Sequence, residues 1–106
     1  MDVIEQKILQ NIDKNRDAII AFGRDIYTNA ELGFKEFRSA GKFVDQLRSL
    51  NLPVIESGLA ITGVKGYLKP KTEGPALALI GELDALRIPA HRYVNPETQA
   101  AHCCGH

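Results

Sequence analysis

The last five residues of the 106-residue chain are His102, Cys103, Cys104, Gly105 and His106. Four of these side chains can bind a soft or borderline metal ion, a density that packing alone does not explain. Along an extended backbone successive side chains alternate faces, so His102, Cys104 and His106 are expected on one face and Cys103 on the other. Gly105 lets the backbone approach closely. The thiolate of Cys104 suits zinc and could bridge two ions, whereas Cys103 reads as a small buried apolar residue. A single short run cannot enclose a tetrahedral ion, because structural zinc sites draw ligands from separated segments. The other candidates are the acids Glu82 and Asp84 and the loop residue His91, and a lone loop histidine is more often an ordinary surface residue. Adjacent cysteines argue against a disulfide framework and for metal or thiol chemistry in a reducing compartment.

The elements that must position these groups follow from the apolar patterning. Ile4, Ile8, Ile12, Ile19, Phe22 and Ile26 mark a long amphipathic helix, with Asp2 and Glu5 placed as a capping box at its start. It is expected to fade over residues 29–33. A second helix carries Phe37, Phe43, Val44, Leu47 and Leu50 on its buried side and stops before Pro53. Both helices read as covering layers without a catalytic role. Residues 61–68 suit a β-strand, and the turn-like stretch 70–74 predicts a hairpin with the next strand. That strand, 76–80, is continuously apolar, as expected when both faces are covered in a layered sheet. It runs into Glu82 and Asp84. Open α/β sheets place ligand sites beyond the carboxyl ends of their strands, although a solvated strand end accounts for two acids equally well. Residues 87–101 form a connection longer than most in compact domains, which usually means that it has a job.

Composition excludes several classes. The 13 basic and 13 acidic side chains cancel, so no basic surface is available to grip nucleic acid. No apolar run is long enough to span a bilayer, and the acidic start is unlike a secretory signal. No repeat or linker divides the chain, and a cytoplasmic setting is expected.

Three segments resemble, in order, the M20 family of metallopeptidases and amidohydrolases, in particular its branch of aminobenzoyl-glutamate and N-acyl-amino-acid hydrolases. Residues 29–34 (NAELGF), with Glu36 beyond them, resemble an early NPELGF-type stretch, with Ala30 where proline is usual. Residues 79–86 (LIGELDAL) resemble a strand ending in acid-x-Asp-Ala-Leu, and residues 102–106 resemble His-x-Cys-Gly-His. The three together span most of the chain. By position, the resemblance implies that Cys104 and His106 are metal ligands and that Asp84 orients the site without touching the ion. Glu82 stands where other branches carry a ligating histidine and this branch carries an acid not counted among the ligands. His102 matches a family histidine without a settled ligand role, so both are candidates for lining the site.

The resemblance also implies an α/β fold, the N-terminal part of a zinc-peptidase-like αβα catalytic domain with an incomplete sheet. The cofactor is a divalent metal, zinc first, with manganese or cobalt as alternatives; the site can be empty in a fragment. The substrate class is an N-acyl amino acid or a peptide, and the assembly a homo-oligomer. The complete family enzyme activates water with a metal pair and uses a downstream glutamate as general base. That glutamate, the further ligands and the lid or dimerisation domain have no counterpart in residues 1–106, so the expectation is an N-terminal fragment that is inactive alone. Two other readings stay open: a non-catalytic metal or thiol module sharing its terminal cluster between copies, and an interaction domain that associates through an uncovered sheet edge.

Overall fold

A computed structural model describes residues 1–105, with the backbone only at Val54. The chain opens with helix α1, Val3–Thr28. The Asp2 carboxylate accepts from the amides of Ile4 and Glu5, both at 2.8 Å, and Glu5 accepts from the Asp2 amide at 2.9 Å. The expected capping box is therefore formed, and it satisfies amides that a helix start leaves open. The helix ends at its C-cap, Asn29, as anticipated. Most of its apolar stripe, however, is uncovered: no residue of α1 is buried, Ile4 remains 68% exposed, and within the stripe Phe22 and Ile26 near the end are half-buried.

Helix α2, Phe37–Ser49, has Glu36 as its N-cap, and the Glu36 side chain makes no capping bond. The first-turn amides are satisfied from further upstream. The Glu31 carboxylate accepts from Arg38 N at 3.1 Å, from Ser39 N at 2.7 Å and from Ser39 Oγ at 2.7 Å. The end of α1 is tied to α2 by Asp25, which accepts from the two terminal guanidinium nitrogens of Arg38 at 2.8 and 3.0 Å, with Lys42 at 3.5 Å. On the inner side of α2, Phe43, Val44 and Leu47 are half-buried. Phe37 and Leu50 are exposed, because the first helical residue and the C-cap have neighbours on one side only.

Strands β1 (Val54–Leu59) and β2 (Gly63–Tyr67) form an antiparallel hairpin under α2, in register from Val54 with Tyr67 to Leu59 with Gly63 and with a bulge between Ser57 and Leu59. Strand β2 thus lies within its expected range but takes the preceding segment as its partner. Gly58 is left-handed at the bulge, and left-handed Ala60 and Ile61 close the short turn, a connection with fewer residues to order than the route through 68–75.

Residues 76–80 are also not the buried strand expected. They form no ladder with any described strand, and Leu77, Leu79 and Ile80 are 90% exposed or more. A strand exists only with a hydrogen-bonding neighbour, and apolar composition cannot supply one. Pairing resumes at Ala85, which forms an isolated parallel bridge with Leu32. Strands β3 (Leu86–Arg87) and β4 (Ala100–Ala101) then pair antiparallel. The result is a mixed α/β fold of two helices and two small sheets. The buried apolar centre consists of alanines: Ala30, Ala85, Ala100 and Ala101. Among the described residues no helix is long and apolar enough to cross a membrane.

Candidate functional site

The backbone just after α1 anchors both arms of the candidate site. The Ala30 carbonyl accepts from Thr98 Oγ1 at 2.7 Å and from Asn95 Nδ2 at 3.2 Å, and the next carbonyl, Glu31 O, accepts from Ala85 N at 2.8 Å. The long connection is folded on itself: Asn95 N donates to Ala100 O and Gln99 N to Asn95 O, both at 2.8 Å. Gln99 is held at φ 58°, and its Oε1 accepts from Arg87 Nε and Nη2 at 3.1 and 2.6 Å. The job of the connection is thus to deliver Ala100 to β3 and to set the direction of the residues that follow.

Beyond β4, Asp84 and the run His102, Cys103, Cys104 and Gly105 line one small concavity of about 20 Å³. The His102 ring stacks on Tyr27 at the end of α1, with centroids 6.4 Å apart and planes inclined at 26°. Tyr27 also meets Tyr93 at 6.0 Å. His102 Nε2 is buried and has no hydrogen-bond partner among the described residues, an arrangement that usually has a reason. Burial pushes the His102 imidazole below its ordinary value, while the charge of Asp84 pulls the other way. The site therefore favours a neutral ring, the form that can ligate a metal or accept a proton.

Of the residues singled out by sequence, Asp84, His102 and Cys104 come together at this concavity. Glu82 is exposed and does not line it. Cys103 is exposed and lines it beside Cys104, so it is not the buried apolar residue expected. Alternation of faces fails here because β4 ends at Ala101 and the chain bends, with Gly105 at φ 88°. His91 serves its own turn, where its Nδ1 accepts from Tyr93 N at 3.1 Å. His106 lies outside the described residues. Among those residues no group of three or more His, Cys, Asp or Glu side chains is placed to hold a metal ion, so by themselves they form no complete cage. Patterning gave no sign of a role for Tyr27, Asn95 or Thr98.

No family model and no solved structure matches the chain. Curated relatives do match. Thermostable carboxypeptidase 2 of Saccharolobus solfataricus is 30% identical across 100% of this chain and 28% of its own length. N-acetyldiaminopimelate deacetylase of Bacillus pumilus is 30% identical across 87% of the chain and 25% of its own length. N-acetylcysteine deacetylase of Bacillus subtilis is 26% identical across 83% of the chain and 24% of its own length. The chain is thus similar to peptidases and N-acyl amino acid deacetylases, hydrolases of the M20 type, and the likeness supports that superfamily without selecting a branch. It spans about a quarter of the length of these relatives.

Proposed function

We propose that the chain is the metal-site-bearing N-terminal portion of a cytoplasmic amidohydrolase or peptidase of the aminobenzoyl-glutamate and N-acyl-amino-acid hydrolase branch. The bond cleaved is the amide of an N-acyl amino acid or a dipeptide-like substrate. Cys104 and His106 supply two ligands to a divalent ion, zinc first and manganese or cobalt as alternatives, completed by groups outside the described residues. Asp84 orients them, His102 lines the site beside them, and Glu82 stands outside the concavity, two residues before Asp84. The observation that carries this reading is the concavity that joins Asp84 to residues 102–105, two segments separated by a long connection. The similarity to carboxypeptidases and deacetylases supports the reaction class. None of these residues is assigned as the general base, and with that goes the expectation that this chain alone does not turn over substrate.

Cobalt titration of the purified chain tests the ligand assignment. A thiolate-to-cobalt absorption is expected that Cys104→Ser abolishes and Cys103→Ser spares; equal loss from both, or no such absorption, would overturn it. Hydrolysis of N-acyl amino acids above a metal-only blank would overturn the inactivity.

The incomplete cage of the described residues favours one second reading, a non-catalytic module whose terminal cluster is completed by another copy. Stoichiometric zinc in a dimer, found by metal analysis with molecular mass, would select it over the incomplete hydrolase.

A further inference from the structure

We propose that Thr98, supported by Asn95, is the positioning residue that fixes His102 beside Asp84, by tying the turn before β4 to the stretch of backbone that holds Ala85. The hydroxyl of Thr98 works in both directions. It donates to Ala30 O at 2.7 Å and accepts from Ala100 N at 3.3 Å, which links the end of α1 to the strand that runs into His102. One residue beyond Ala30, the Glu31 carbonyl takes Ala85 N at 2.8 Å and so places the backbone next to Asp84. Adjacent carbonyls thus grip the two arms of the concavity. The two carbonyls belong to consecutive peptide planes hinged at the Glu31 Cα, so only the φ and ψ of one residue set their relative placement.

The wall behind His102 comes from the same place. Tyr27, on which the imidazole stacks, lies in the last turn of α1, three residues before Ala30. Hydrogen bond and ring contact therefore locate His102 from one origin. The buried apolar filling at the junction is alanine, with half-buried Leu32 packed against it, so the polar tie has little bulky packing to replace it. The positional claim stands apart from the hydrolase reading, and only the use made of the positioned pair rests on that reading.

The test compares the His102 ring proton signals, in the metal-free 106-residue chain, between wild type, Thr98→Val and Thr98→Ser. Valine keeps the shape and removes both hydrogen bonds. The expected result is that Thr98→Val moves the His102 signals out of the Tyr27 ring current by more than a line width. The amide signals of the β1–β2 hairpin should stay in place, and Thr98→Ser should restore the wild-type position. A Thr98→Val chain with wild-type His102 signals would overturn the proposal. Should the valine variant not fold, serine decides: wild-type signals support the hydroxyl tie and displaced signals overturn it. Because the readout needs no metal, failure of cobalt binding would count against the hydrolase reading and leave this comparison unchanged.

Discussion

Replacing Glu31 with alanine removes the acceptor for three donors at the start of α2: the amides of Arg38 and Ser39 and the Ser39 hydroxyl. Ser39 is fully buried, so two of these donors have no ready access to water once the carboxylate is gone. A stranded buried donor costs about 1–3 kcal/mol, and loss of a negative charge at a helix N-terminus adds about 0.3–1 kcal/mol. The Arg38 amide is exposed and contributes little beyond that. Because both Ser39 bonds are only part-buried, each donor falls near the lower end of that range, and the expected loss is about 2–4 kcal/mol, large against the roughly 5–15 kcal/mol that holds a typical domain together. In a chain of this size it lowers Tm by roughly 10–25 °C. Glu31→Gln keeps one carbonyl oxygen for Ser39 and should lose only about 1 kcal/mol. Urea and thermal unfolding, followed by far-UV circular dichroism, measure both variants. An alanine variant within about 0.5 kcal/mol of wild type, or a glutamine variant as damaged as alanine, would refute the assignment of Glu31 as the effective cap of α2.

Two further outcomes follow from the fold. A Cβ added at Gly63 would lie 2.5 Å from the Leu59 carbonyl oxygen, a backbone atom that cannot rotate away; Gly63→Ala should therefore cost about 1–3 kcal/mol and speed amide exchange in β1 and β2, and unchanged protection there would contradict the register. The hydrogen bond from Arg38 holds the Asp25 carboxyl below its ordinary value of 3.8, with burial acting in the opposite direction. A depressed folded-state pKa gives stability that is present above the unfolded value and is lost as pH falls through the folded one. The α1–α2 tie should hold at neutral pH and loosen only in acid below about 3.8, and Asp25→Asn should flatten that limb of the urea midpoint against pH. A variant with the wild-type slope would show that this ion pair is not responsible.

Features that depend on a few neighbouring residues were legible in the sequence. The capping box of Asp2 and Glu5, the end of α1 near Asn29 and the half-buried face of α2 all follow from local spacing. By residue type Glu82 and Asp84 were equal candidates, and only the likeness singled out Asp84, which lines one concavity with residues 102–105. What patterning missed depends on distant partners. Residues 76–80 have the composition of a buried strand but no described strand to pair with. Strand β2 pairs backwards across left-handed Ala60 and Ile61, residues whose types do not advertise that conformation. The ties from Thr98 and Asn95 to Ala30 cross more than sixty positions of sequence, and no periodicity encodes a bond to a carbonyl that far away. The NAELGF segment was noticed by likeness, and its physical meaning is that Glu31 caps one helix with its side chain and holds Ala85 with its carbonyl.

The alanine centre of the junction has a thermal consequence. Methyl groups offer little apolar area, so cohesion around Ala30, Ala85 and Ala100 must come largely from carbonyl, amide and hydroxyl contacts. Attraction between oily surfaces fades in the cold, whereas this knot has little of it to lose. Chilling the protein should relax the half-covered hairpin under α2 before it disturbs the neighbourhood of His102.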